Sequence, residues 1–360
     1  MSKQPQLPGI QYLRALAAIL VVLTHTSGMA RFPKYFNMNM CDGFFDLGAI
    51  GVPLFFVISG FIIAYVSLQQ NTLTPKISPA SFFGKRFTRI IPFMWVCVIG
   101  YAMLRVLGRD GKFPYMEYGR SIILFPVGAV QPNQIWTLRH EFLFYILFCI
   151  SILQIRSYLV LVVWFLSPFV WFFAAPYISN EFLNALGSFV FSKLNLLFGG
   201  GYLVAVLFLQ DKLPRLEKRA STWLTVVSIV FLLIAAYCFA GKYKTFYQVF
   251  VCGVLSSLVL YAAIYLQTSA TPSRIEKLLL LLGDASYAIY LIHAGIVSAM
   301  LGVWSKLDPK ANWVLIMLAG VLLSCTGGII AHKFIEKPLL KLFQGKKKSR
   351  PVPLGELKSA

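Results

Sequence analysis

The chain has 360 residues, 58% of them hydrophobic and 13% charged, with a mean hydropathy of +0.73. A soluble domain carries about 25% charged residues, so this composition excludes the soluble globular class and predicts an all-α polytopic membrane protein. The formal net charge of +20 would point a soluble protein toward nucleic acid. Here the basic residues gather at the ends of apolar segments, where they fix topology, and no nucleic-acid partner is expected.

Hydropathy taken along the chain predicts ten spans, near residues 11–30, 47–67, 90–108, 136–154, 157–175, 190–209, 221–240, 247–267, 279–302 and 313–333. An even number leaves both termini on one side. Lys85, Arg86, Arg89, Arg156, Lys212, Arg215, Lys218, Arg219, Arg274 and Lys277 fall on that same side, together with the Lys346–Lys348 run and Arg350. The excess of cations makes that side cytoplasmic. The chain reads as one membrane domain over residues 1–342, followed by a basic, disordered cytoplasmic tail over 343–360 that meets solvent and lipid headgroups. No removable signal peptide is expected at the N-terminus. Five of the six cysteines lie in apolar segments, and no spacing suggests a metal site or a disulfide framework.

The first span carries two residues that lipid does not tolerate easily. Arg14 and His25 are eleven positions apart, which on a helix is three turns plus about 20°, so they share one face across about 16 Å of rise. Ionisable groups at such positions line cavities, although Arg14 snorkelling at the cytoplasmic end and His25 packed among neighbours is the plain alternative. The second span opens with Gly51–Phe61, whose Ser59 either lets helices approach or forms a cavity wall beside span one.

Residues 83–92, FGKRFTRIIP, bring Lys85, Arg86 and Arg89 up to a proline that breaks or kinks the entry to span three. These cations are topology signals, or else Arg86 and Arg89, three apart, grip a phosphate-bearing ligand. The connection 109–135 is longer than a turn and predicts a short interfacial or re-entrant helix.

Span four begins WTLRHEFLFY, with Trp136 as a belt residue or a cavity wall. Glu141 inside is either a partner for Arg139 or His140, or a functional carboxylate. Span nine carries GDASYAIYLIH, in which Tyr287, Tyr290 and His293 face a polar cavity or are satisfied by neighbouring helices. Under this topology His25, Glu141 and His293 fall in one layer of the outer half, where a carboxylate and two imidazoles can orient one another and move protons. Glu336, at the end of span ten, is expected to pair with a loop cation, and Gly199–Gly201 to allow a tight helix contact or a bend.

Taken in order, Arg14 with His25, GVPLFFVISGF, KRFTRIIP, W-x-L-x-x-E at 136–141, SYAIYLIH at 286–293 and IEKP at 335–338 resemble the membrane-bound acyltransferase-3 family. The likeness runs from about Gln11 to Leu342 and is nearest to members that O-acetylate exopolysaccharides and lipopolysaccharide O-antigens. It implies ten transmembrane helices in a bacterial cytoplasmic (inner) membrane and an essential pair at Arg14 and His25. It also implies acetyl-CoA as acyl donor, a glycan or lipid-linked glycan as acceptor, and polysaccharide assembly proteins as further partners. A fused extracytoplasmic esterase-like domain of the kind some relatives carry is not expected.

The resulting expectation is a lengthwise donor. Its phosphates rest near Arg14, Lys85, Arg86 and Arg89, and its arm runs past Ser59, Trp136, Tyr287 and His293. At the outer end His25, oriented by Glu141, acts as general base or takes the acetyl group covalently. The competing class is a transporter or proton-coupled carrier of a glycan or small metabolite, which also uses buried Glu and His. No inverted repeat supports it.

Overall fold

The structure is a computed structural model that describes residues 7–108, 113–153, 158–239, 241, 245–269 and 271–344. The tail from residue 345 onward lies outside the described residues. Within them the fold is helical as expected, and Leu68 and Pro75 form an isolated antiparallel bridge.

In chain order the helices are α1 (Pro8–Ala30), α2 (Gly51–Ser67), α3 (Pro79–Gly108), α4 (Tyr115–Ile122), α5 (Ile135–Ser151), α6 (Tyr158–Ala174) and α7 (Glu181–Val190). They continue with α8 (Asn195–Leu209), α9 (Lys218–Cys238), α10 (Phe246–Ala263), α11 (Arg274–Leu307), α12 (Trp313–Ala331) and α13 (Lys337–Gln344). Among the described residues nine helical stretches are long and apolar enough to cross a membrane. The remaining predicted span, the fourth, is α5, a helix of 17 residues.

Two features depart from the hydropathy reading. Helix α3 begins at Pro79 and runs through Pro92, so Lys85, Arg86 and Arg89 stand on its early turns and not in a loop before it. Proline removes one helical hydrogen bond, and in an apolar bundle neighbouring groups can satisfy the freed backbone. Short helices α7 and α13 and a five-residue π segment, His332–Glu336, were not separable by hydropathy from the spans beside them.

Helices α1 and α2 form the centre. Of their most apolar windows 56% and 67% is enclosed by protein, against 22–39% for the other candidate spans, which leave more surface for lipid. Enclosure depends on close backbone approach, since between helices in lipid packing replaces the hydrophobic effect. A Cβ on Gly201 of α8 would stand 1.8 Å from the Val57 carbonyl oxygen of α2, and one on Gly60 would stand 2.2 Å from that of Phe198. Gly283 of α11 similarly admits the Gln11 backbone of α1. The glycines of span six thus do permit tight contact.

Gly201→Val is therefore expected to cost about 3 kcal/mol or to abolish folded protein, because the obstacle is backbone and cannot swing aside. Gly100→Ala, with nothing within 4 Å of the added carbon, serves as the neutral control. Thermal unfolding of both variants in detergent checks the pair.

Candidate active site

The N-terminal half of α1, α2, the early turns of α3, one face of α5 and the middle of α11 enclose a cavity of about 380 Å³. Its walls include Arg14, Ser59, Arg86, Arg89, Thr137, Glu141, Tyr145, Tyr287 and Tyr290. The face supplied by α5 follows from helix geometry, since Thr137, Glu141 and Tyr145 are successive i, i+4 neighbours.

Glu141 is the one carboxylate among the cavity residues, and its Oε1 accepts from Ser59 Oγ at 3.2 Å and from the Tyr145 hydroxyl. The Arg86 guanidinium lies over the rings of Phe82 and Tyr145, at 5.6 and 5.9 Å from their centroids. Its buried Nε has no hydrogen-bond partner. Arg14 Nη1 donates to Gln11 Oε1 at 3.3 Å. Among the described residues the ion pairs are Arg31–Asp46, Arg215–Asp211 and His332–Glu336, so none of the three cavity arginines is ion-paired. Three guanidiniums facing one carboxylate in a partly buried chamber leave a site for an anion.

The cavity ends at α5 and α11. The Tyr290 hydroxyl pairs with Thr137 Oγ1 at 2.7 Å and donates to the Gln134 carbonyl at 3.2 Å. Beyond that layer lie the two imidazoles. His25 and His293 stand with ring centroids 4.9 Å apart, and the His293 ring is 5.9 Å from that of Tyr290. Nδ1 of His293 lies 2.7 Å from the Tyr290 carbonyl and 3.2 Å from that of Ile289. Carbonyl oxygens only accept, so Nδ1 carries the proton in the neutral ring and Nε2 holds the basic lone pair. That Nε2 is buried with no hydrogen-bond partner.

The expected residues are therefore brought together in two groups and not one. Arg14, Arg86, Arg89, Ser59, Glu141 and Tyr287 share the cavity, where Tyr287 donates to the Ile90 carbonyl at 2.8 Å. His25 and His293 pair beyond it. Glu141 does not orient His25, because α5 starts deep. Gln134, just before its first turn, already bonds the Leu291 carbonyl, two residues from His293. Glu141, seven residues on, lies about 10 Å farther toward the arginine end.

Lys85 is exposed at the edge of the arginine face and does not line the cavity. Trp136 packs edge-on against Phe56 and His140, outside the cavity walls. Glu336 pairs with His332 at 2.7 Å, both buried, and not with a loop cation. The sequence reading missed Tyr145 and Thr137, although their spacing from Glu141 was readable, and it missed Tyr101 and Gln134, whose partners lie far along the chain. No group of three or more His, Cys, Asp or Glu suited to a metal ion occurs among the described residues.

With only four histidines in the chain, ¹⁵N-histidine labelling gives resolvable ring signals. His293 is expected to show the signals of the Nδ1–H tautomer. An Nε2–H tautomer at that ring would contradict the assignment.

Known proteins were compared with this chain. The acyltransferase-3 model, described as an acyltransferase domain, matches residues 7–333. The exopolysaccharide production protein ExoZ of Rhizobium meliloti (strain 1021) is 29% identical over 314 residues, covering 82% of this chain and 91% of that protein. The acyltransferase MdmB of Streptomyces mycarofaciens is 25% identical over 380 residues, covering 96% of this chain and 94% of its own. The peptidoglycan O-acetyltransferase OatA of Listeria monocytogenes is 34% identical over 92 residues, 26% of this chain and 12% of that protein. No solved structure matches. The match spans all the elements that build the cavity and the imidazole pair, and it sets the chain among enzymes and not carriers: it belongs to the acyltransferase-3 family and is a multi-pass membrane O-acyltransferase.

Proposed function

We propose that this enzyme moves an acetyl group from acetyl-CoA to a hydroxyl of a cell-surface polysaccharide or its lipid-linked precursor, in a bacterial cytoplasmic membrane. The observation that carries the donor assignment is the arginine chamber, with Arg14, Arg86 and Arg89 sharing one cavity with Glu141 and none of them ion-paired. Guanidiniums suit phosphates, and by the positive-inside rule this end of the bundle faces the cytoplasm, where acetyl-CoA is found. A cavity of about 380 Å³ is at the small end of the roughly 300–1,000 Å³ range of ligand pockets. It suits the slender pantetheine arm, with the nucleotide left at the mouth.

The arm enters along α1 and passes Glu141, whose carboxylate is free to accept a hydrogen bond from one of its amides. The Thr137–Tyr290 hydrogen bond stands across its path and must open for the thioester to reach the imidazoles. There His25 accepts the proton of the acceptor hydroxyl as its oxygen forms the new ester bond to the acetyl carbon. The carbon–sulfur bond breaks, and coenzyme A leaves as the thiolate, which recovers a proton as the free thiol. The basic Nε2 of His293 beside His25 offers a second station for the transferred proton. The exopolysaccharide and O-acetyltransferase names of the relatives support a glycan acceptor.

Coenzyme A is expected to raise the thermal midpoint of the purified protein, with about 2.7 kcal/mol of stabilisation at a hundredfold excess over Kd. Arg86→Ala and Arg89→Ala should weaken this effect. His25→Ala should keep it while acetyl transfer falls about 10²-fold or more. Full transfer by His25→Ala would remove His25 from the mechanism, and no stabilisation by coenzyme A would remove the donor.

A further inference from the structure

His293 sits midway along the α11 turn Leu291–Gly295, and both ends of that turn are held by side chains from other helices. In a regular helix the Gly295 N–H pairs with the Leu291 carbonyl. Here the Tyr101 hydroxyl, from α3, stands 2.6 Å from the Gly295 nitrogen and 3.3 Å from the carbonyl oxygens of both Leu291 and Ile292. Gln134, from the start of α5, donates through Nε2 to the Leu291 carbonyl at 2.7 Å and to the Tyr101 hydroxyl at 3.1 Å.

The phenol is thereby saturated, with two donors on its lone pairs and its own proton given to a carbonyl. Position 295 is built for this contact, because a Cβ there would lie 3.1 Å from the Tyr101 ring and hydroxyl. A side chain that enters a helical ladder sets the local direction of the helix. Gln134 is also the residue whose carbonyl accepts from Tyr290, so one cluster fixes both the cavity's far wall and the imidazole behind it.

We propose that Tyr101 and Gln134 are positioning residues for His293, holding the α11 turn in the rotation that presents its ring beside that of His25. Neither touches the reacting atoms. The inference rests on the reading above only where it concerns rate, since the placement of the ring stands apart from any chemistry. Removing the hydroxyl takes that side-chain partner from the Gly295 N–H and from the Leu291 and Ile292 carbonyls, so the turn is released and the imidazole turns away.

The test uses the full chain, ¹⁵N-histidine labelled, in two variants. Tyr101→Phe deletes the hydroxyl, and Gly295→Ala crowds it from the opposite side with a residue that favours helix. Each is expected to shift the ring signals of His293 and leave those of His332 in place. In membrane vesicles supplied with radiolabelled acetyl-CoA, incorporation into glycan at saturating donor should fall about tenfold, with half-saturation within about twofold of wild type.

A shifted His293 signal with unchanged incorporation sustains the positioning role and removes His293 from the transfer step. Folded variants whose His293 signals stay put overturn the proposal. So does a rate loss explained entirely by lost donor binding. Should Tyr101→Phe fail to fold, Gly295→Ala decides alone.

Discussion

The constraint on which the structure turns is unneutralised positive charge kept inside a helical bundle. Arg14, Arg86 and Arg89 stand around one cavity with Glu141, and that carboxylate is engaged by Ser59 and Tyr145 and by no arginine. Burying a guanidinium without a counter-ion is costly, and here three half-buried arginines line one cavity. Such an arrangement is stable only because close helix packing elsewhere is dense, as at the Gly60 and Gly201 crossing of α2 and α8. It becomes favourable when an anion arrives. The chamber is thus the feature on which the proposed donor site rests.

The second constraint is length. One helix, α1, carries Arg14 at one level and His25 about 16 Å away on the same face, the span that the proposed donor would have to bridge. The cavity walls reach Thr137 and Tyr290, which share a hydrogen bond at 2.7 Å, while the His25–His293 pair, next to Tyr290, is not among those walls.

Much of this was legible in the sequence. Composition fixed the membrane class, hydropathy located the long helices, and the i, i+3 spacing of Arg86 and Arg89 agrees with both lining one cavity. The pairing of His25 with His293 was anticipated as a shared layer. What misled was depth. Counting inward from a presumed membrane surface put Glu141 level with His25, but α5 does not start at a surface. The segment before it enters the bundle, and Gln134 meets Leu291 before the helix begins. Only tertiary hydrogen bonds reveal that offset of about 10 Å. Tyr101 was invisible for the same reason, because its meaning lies in partners 190 to 194 positions away. Lys85 shows the converse limit, since a cation one position from Arg86 is turned by 100° and reaches the exposed edge.

The most direct test is an experimental structure of the full chain with coenzyme A bound. The account predicts the phosphates within ion-pair distance of Arg14, Arg86 and Arg89. It also predicts the sulfur beyond a separated Thr137–Tyr290 pair, against His25 and His293. A coenzyme A whose sulfur stops beside Glu141, with that hydrogen bond intact and no opening past it, would contradict the account.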